Sequence, residues 1–206
     1  RPARLTNRAV SVTILSALQE GDGHMLHHTG SVRLESGRLI LRPLTTADAE
    51  AAFANWTSDA RVARFMRWNP HTSVEETRSW LAQCEQDYRK PCHYEWAIVP
   101  KTAGVPIGSI SLRLQGDGPS REAADVGYAI GRAWWGQGLV TEALICAMEH
   151  LIHTVGVRHF TGEHAPDNPA SGAVMRHAGL RCVGRGSYTS FDGARTFPSL
   201  VYRLDL

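Results

Sequence analysis

From Arg38 onward, apolar and polar positions alternate between two rhythms, a period of two and a period near three and a half, and each change of rhythm marks an element. Leu39-Ile-Leu-Arg-Pro-Leu44 reads as a short strand ended by its proline, after which Thr46 caps a helix through Ala47 to Trp56. Ser73 with Glu76 three positions on forms a capping box for a helix from Val74 to about Tyr88, with Val74, Thr77, Trp80, Leu81 and Cys84 along one face. Three strand-like runs follow, Tyr94 to Val99, Pro106 to Leu114 and Ala124 to Ile130, parted by turn signals at residues 102–104 and 115–119; they predict an antiparallel meander. A helix from Gly138 to Thr154 carries the stripe Leu139, Ala143, Ala147, Met148, Leu151, Ile152 and ends at Gly156. His159 to Glu163 is a strand, Asn168 to His177 a helix stopped by Gly179, and Arg181 to Tyr188 with Thr196 to Leu204 a closing strand pair. The order β-α-α-β-β-β-α-β-α-β-β predicts an α/β fold: a mixed, mostly antiparallel, twisted sheet with helices on both faces. Residues 33–206 form one domain on this reading. Residues 1–32, turn-rich and histidine-rich with a short helix at Thr13 to Glu20, form an N-terminal extension outside it.

Composition narrows the function classes. The chain has 206 residues, 43% of them hydrophobic, and 22 basic against 20 acidic residues leave a charge of only +2, so nothing points to nucleic acid or an anionic membrane. Runs such as Trp96 to Val99 are too short to span a bilayer, and no basic start leads into an apolar segment, so a cytoplasmic protein is expected. Cys84, Cys92, Cys146 and Cys182 are scattered, which predicts buried or reduced thiols. His24, His27 and His28 have no carboxylate or cysteine beside them, so no metal is expected.

Candidate chemistry concentrates in residues 125–144, a strand, a turn bearing Gly136 and Gly138, and a long apolar helix. Glycines at a helix start let several backbone N–H groups, unpaired in the first turn, face one anion closely. A pyrophosphate suits that cradle, although two glycines also serve simply to turn a strand into a helix. No Gly-x-Gly-x-x-Gly or Gly-Lys-Ser/Thr is present, which argues against a dinucleotide or P-loop site.

Four segments in order resemble the GNAT superfamily of N-acetyltransferases, and in detail its RimJ/RimL-like branch, from about Arg33 to Leu206. They are Leu39 to Leu44; Trp68-Asn-Pro-His71 with Ser73 to Glu76; Gly127 to Ile130 with Trp135 to Gly138 and Thr141 to Ala143; and Asn168-Pro-Ala-Ser171 with Ala178 to Leu180. Two departures stand out. Ala133 occupies the place three before Gly136 where the pyrophosphate signature usually begins with Gln or Arg, and Ser190 stands approximately where the branch has a glutamate thought to act as base.

The resemblance implies acetyl-CoA as co-substrate and acetyl transfer to a primary amine, either a protein N-terminal α-amine or a small-molecule amine, by direct attack on the thioester. A non-catalytic acyl-CoA-binding or sensing protein is the alternative, and the branch often forms homodimers. The N–H groups of Gly136, Gln137, Gly138, Leu139 and Val140 are expected around the pyrophosphate, and the exposed backbone of Ala129 and Ile130 along the pantetheine arm. Asn168 resembles the asparagine that contacts that arm, and also suits an N-cap. Ser171 resembles the serine near the coenzyme sulfur, or it serves the helix start. Trp68 and His71 lie on the loop that borders the acceptor site in this fold. For the base, Asp125 comes first, with Glu95, Glu163 and His164 as other residues able to face the cleft; Glu142, inside a helix, is read as structural. At least one of Trp134 and Trp135 is expected in the core, and Arg132 and Arg176 are possible phosphate contacts or solvated surface arginines.

Overall fold

The computed structural model describes residues 26–115 and 123–206. The helix expected at residues 13–20, His24 and the turn after Gln115 lie outside them. Eight strands form one sheet: β1 (Leu34–Glu35), β2 (Leu39–Arg42), β3 (Glu95–Pro100), β4 (Gly108–Gln115), β5 (Ala123–Ile130), β6 (His159–His164), β7 (Arg181–Thr189) and β8 (Thr196–Asp205). Their order is β1-β2-β3-β4-β5-β6-β8-β7, and every neighbouring pair is antiparallel except β5 and β6. The helices are α1 (Ala49–Ala52), α2 (Ala60–Ala63), α3 (Val74–Asp87), α4 (Leu139–His150) and α5 (Pro169–His177).

Strand alternation gives the sheet two differently dressed faces. On one face Ala124, Val126 and Phe160 pack with Leu144, Met148 and Met175 of α4 and α5. On the other, Ala97, Val99 and Ala129 pack with Ala52, Trp56, Val62 and Leu81 from the helical region before β3. Leu39, Leu41, Leu81 and Leu144 are fully buried, each worth roughly 1.5–3 kcal/mol in transfer from water. Trp96 is also fully buried and satisfies its indole N–H on the Val32 carbonyl at 2.7 Å.

The expected elements occur in the expected order, with β1 and α2 as additions, and the other differences have local causes. The first helix is capped by Thr45, one residue earlier than expected: the Asp48 carboxylate takes the Thr45 N–H at 2.9 Å, while the Thr46 N–H goes to Glu85 at 2.7 Å. That helix opens as a 3-10 turn (Thr46–Asp48) and widens to a π turn at Phe53–Thr57; a second π turn, Leu151–Val155, ends the α4 segment. At α3 the Ser73 hydroxyl accepts from the Glu76 N–H as expected, but the Glu76 carboxylate caps Thr72 in place of Ser73. Residues 26–32 are laced onto the domain: Ser31 Oγ donates to the His93 carbonyl and accepts from the Glu95 N–H, and His27 N donates to the Val155 carbonyl. All four cysteines are free, as the scattered spacing predicts; Cys84 is buried, whereas Cys182 is exposed on β7.

One long-range clamp joins the first hairpin to α4. The Glu142 carboxylate accepts from Ser36 Oγ at 2.8 Å, from the Arg38 N–H at 2.7 Å and from Arg38 Nε at 2.6 Å, while Arg38 Nη1 reaches the Gln137 carbonyl at 3.0 Å. Burial works to raise the Glu142 pKa, but these donors prevail and hold it below the usual carboxylate range. Glu142 is structural, as read from its place inside a helix. Glu142→Ala leaves a backbone N–H and a hydroxyl without their partner, and is expected to cost about 1–3 kcal/mol. Thermal unfolding should show it as a fall of several degrees in the midpoint; an unchanged midpoint would refute the clamp.

Candidate active site

The cradle forms where β5 turns into α4. Gly136 and Gly138 both take left-handed backbone angles, φ +72° and +71°, a region that favours glycine. Gly138 is the N-cap of α4, and the first helical bond runs from the Glu142 N–H to the Gly138 carbonyl at 3.1 Å, so the N–H groups of Leu139, Val140 and Thr141 have no intrahelical partner. Gly136, Gln137 and Gly138 are exposed, and a Cβ built on Gly136 would meet nothing within 4 Å. Such an open, N–H-lined helix start fits a diphosphate.

The sheet itself opens beside the cradle. β5 and β6 pair only at Ala123–His159, Ala124–Phe160 and Asp125–Thr161, after which they part. Along β5 the ladder to β4 continues to Gly131, whose N–H donates to Ile107 at 2.8 Å. By antiparallel alternation the odd residues, Ala129 among them, commit their backbone groups to β4, and Val126, Tyr128 and Ile130 turn theirs to the gap. The Ile130 carbonyl is already taken by the Trp135 indole at 2.9 Å. Of the two residues expected to offer backbone to an extended ligand, Ile130 thus keeps a free N–H, whereas Ala129 faces away; Val126 and Tyr128 take its place.

A cleft of about 800 Å3 runs through this gap and is lined from both faces of the sheet. On the α5 face, Tyr128 Oη lies 2.9 Å from Ser171 Oγ and 2.9 Å from the Ser171 carbonyl. Burial pushes the Tyr128 phenol far up, so it stays protonated and holds its hydrogen bond to Ser171. Asn168 caps α5, its side-chain oxygen accepting from the Ser171 N–H at 3.4 Å. His164 is buried, holds the Ala165 carbonyl through Nδ1 at 2.8 Å and turns Nε2 against Gly172, so it lies on the opposite face from the carboxylates.

On the other face Asp125 and Glu163 share the cleft wall. Glu163 is engaged at both oxygens, by Arg67 Nη2 at 2.8 Å and by Ser199 Oγ at 2.7 Å. Among the described residues Asp125 accepts only a long side-chain bond from Thr161 Oγ1, 3.4 Å. Burial first, and the Glu163 charge second, raise its pKa against the opposing pull of Arg113 and Arg67. Glu95 lines the cleft two strands away, 3.5 Å from His93 Nε2.

A fixed roof covers this side. Arg195 Nη2 donates to the Trp68 carbonyl at 3.1 Å and to Asn69 Oδ1 at 2.8 Å, the Phe191 N–H donates to the Arg67 carbonyl at 2.7 Å, and the Tyr188 hydroxyl donates to the Phe65 carbonyl at 2.8 Å. Asp192, held to about 2 by hydrogen bonds from Ser190, the Ala194 N–H and Asn69, completes the lacing. Ser190 is therefore a buried turn residue, bonded to Asp192 and Arg195, and offers no base.

Trp68 and His71 both line the cleft, and Trp68 packs on the second apolar cluster as well. His71 Nδ1 pairs with Thr77 Oγ1 at 2.8 Å, and burial lowers its pKa, with Glu76 opposing. Trp134 packs on the core and Trp135 is exposed. Arg132 pairs with Asp59 at 2.5 Å, whereas Arg176 is exposed, donates from Nη1 to the Tyr202 hydroxyl at 2.9 Å and has no ion pair among the described residues. Sequence reasoning missed two residues: Tyr128, which lay inside a quoted motif without a role, and Arg67, whose place follows only from the roof. Among the described residues no cluster of three or more His, Cys, Asp or Glu forms, and no helix is long and apolar enough to cross a membrane.

Comparisons with known proteins agree with this geometry. A family model described as an acetyltransferase (GNAT) domain matches residues 38–181. The [ribosomal protein uS5]-alanine N-acetyltransferase of Escherichia coli is 32% identical over 169 residues, covering 79% of this chain and 85% of the relative. The uncharacterized N-acetyltransferase YoaA of Bacillus subtilis is 25% identical over 171 residues, 83% and 95% of the two chains. RimL, a ribosomal L7/L12 α-N-protein acetyltransferase solved with coenzyme A, superimposes with a TM-score of 0.72 at 22% identity over 84% of this chain and 98% of that one. The chain belongs to the GNAT family and is an acetyl-CoA-dependent N-acetyltransferase.

Proposed function

We propose that the protein transfers the acetyl group of acetyl-CoA to a primary amine, an N-terminal α-amine or a small-molecule amine, by direct attack on the thioester. The observation that supports this reading is the placement of the Asp125 carboxylate and the Tyr128–Ser171 hydroxyl pair on opposite faces of the sheet, beside the gap between β5 and β6. The cradle N–H groups of Gly136 to Val140 hold the diphosphate, and the free backbone of Val126, Tyr128 and Ile130 pairs with the pantetheine arm as an added strand would. Asn168 fixes the start of α5 and with it Ser171.

Asp125 accepts the amine proton as the new N–C bond forms. The C–S bond breaks, and the departing thiolate takes a proton relayed through the hydrogen-bonded hydroxyls of Tyr128 and Ser171, which recover it from solvent in the cleft. Electron density developing on the carbonyl oxygen meets a backbone N–H in the gap. An α-amine with a pKa near ~8 needs only modest help to become neutral, whereas a lysine at ~10.4 needs far more, so a single half-buried carboxylate suits the former.

Free thiol release from acetyl-CoA with a panel of amines tests the reading; no release above background with any amine overturns it. Asp125→Asn is expected to lower kcat/KM by about 10²–10⁴-fold. With an arylamine acceptor, neutral across the range, the wild-type profile should rise with pH through an inflection above the usual aspartate value, and that inflection should vanish in the variant. The same raised pKa has a stability consequence of opposite sign. The folded state holds the Asp125 proton more tightly than the unfolded chain, so stability falls as pH rises from the unfolded pKa through the folded one, and the penalty is fully present at pH 7. Asp125→Asn should therefore unfold at a higher temperature than wild type at pH 7; a lower one would mean the carboxylate is stabilised where it sits. Tyr128→Phe and Ser171→Ala should each slow turnover, and the double variant should lose less than the product of the two losses, because the hydroxyls act through one hydrogen bond.

A further inference from the structure

The acceptor side of the cleft is aromatic, and its inner charges are already spent. Trp68 and Trp80 stand either side of His71, with ring centroids 6.0 and 6.1 Å from it, and Phe65 and Tyr188 line the same wall. The Tyr188 hydroxyl is consumed by the Phe65 carbonyl, and His71 spends Nδ1 on Thr77, so the wall presents mainly ring faces and edges. Arg67 is paired with Glu163, and Arg195 is bound to carbonyls of the roof. Glu95 lies two strands away against His93. Asp125 is left as the carboxylate on the acceptor face without an ion pair among the described residues; the other such cleft carboxylate, the exposed Asp167, stands before α5 beside Asn168, on the Ser171 side. At the mouth the charges are positive: Arg61 and Arg64 are exposed, neither forms an ion pair among the described residues, and Arg64 lies over the Phe65 ring at 4.9 Å.

We infer that the acceptor is a monoamine carried on a large apolar or aromatic group, the chemistry found at the head of a peptide beginning with such a residue, and that polycationic amines are rejected. The inference rests on the acetyl-transfer reading above and names the substrate class for it. One unpaired carboxylate on the acceptor face serves one amine. A second ammonium on the same molecule would lie against an aromatic wall with no counter-charge, or beside Arg61 and Arg64, where like charge repels it. An apolar side chain next to the amine instead removes ring surface from water on both partners. The competing possibility is that the indole faces hold a cation directly, which would favour a polyamine.

The test uses the full chain at saturating acetyl-CoA and compares kcat/KM, read by free thiol, for three peptides differing only in their first residue, Phe, Gly or Glu, and for spermidine. The Phe peptide is expected to exceed the Gly and Glu peptides and spermidine by at least about tenfold, the scale on which apolar subsites discriminate. Trp68→Ala should depress the Phe peptide more than the Gly peptide. Because Trp68 also packs on the core, the exposed Arg64→Glu provides an independent measurement and should raise the rate with spermidine relative to the Phe peptide. Turnover with spermidine or the Glu peptide equal to or above the Phe peptide overturns the inference and leaves acetyl transfer standing. Calorimetric binding of acetyl-CoA with no thiol release from any of the four amines overturns the transfer reading, and the inference falls with it.

Discussion

The active-site cleft depends on β5 and β6 parting after Asp125 and Thr161. Each strand is otherwise well served: β5 pairs with β4 along its whole length, and β6 pairs with β8 from His159 to His164. The parting leaves outward backbone groups on Val126, Tyr128 and Ile130, which water or a ligand must satisfy. It also follows from topology. β5 and β6 are parallel, so a crossover must join them, and α4 is that crossover. Its N-terminus, with the two left-handed glycines, therefore sits at the carboxyl end of β5 beside the open edge, where open mixed sheets place ligands. One geometric fact thus brings an anion cradle, a strand edge and a passage through the sheet to one place.

The passage matters because strand alternation sorts side chains with no further instruction. Asp125 and Tyr128 are three residues apart, so they project to opposite faces, Asp125 towards Arg67 and Glu163, Tyr128 towards Ser171 on α5. A register slip of one residue would exchange them and bury the carboxylate in the apolar layer under α4. The long β4–β5 ladder, eight paired residues, and the Trp135 indole on the Ile130 carbonyl both resist that slip. Fold stability and site geometry are here the same set of contacts.

What was legible in the sequence was local. Gly136 and Gly138 announce positive φ, Asn168-Pro169 announces a capped helix, and the apolar rhythms give the order of the main elements along the chain, the closing pair included. What was not legible needs partners far along the chain. The roof joins residues 65–69 to 188–195, the Arg38 and Glu142 clamp spans 104 positions, and neither leaves a short-range pattern. Ala129 was singled out where Val126 and Tyr128 belong because the choice depends on which backbone groups β4 consumes, a parity that only the observed register supplies. The expected cap at Thr46 falls one residue late for a similar reason: Glu85, 39 residues away, claims the Thr46 N–H.

The same long-range contacts explain why Asp125, and not Glu163, suits proton transfer in the proposed reaction. The two carboxylates stand on adjacent strands and face one cleft, yet Glu163 is bound by Arg67 and Ser199 at short distance, so taking a proton would break an ion pair and a hydrogen bond. Asp125 loses only a 3.4 Å contact with Thr161. Arg67 is itself fixed by the Thr189 carbonyl at 3.0 Å and lies over the Tyr188 ring, so the hairpin that roofs the acceptor side also keeps Glu163 occupied. A charged Glu163 in turn helps hold the Asp125 pKa up, which moves a carboxylate closer to the pH at which it both accepts a proton readily and is ionised. The roof then has two functions on this reading, shaping where the acceptor lies and maintaining the neighbour that makes Asp125 the better base.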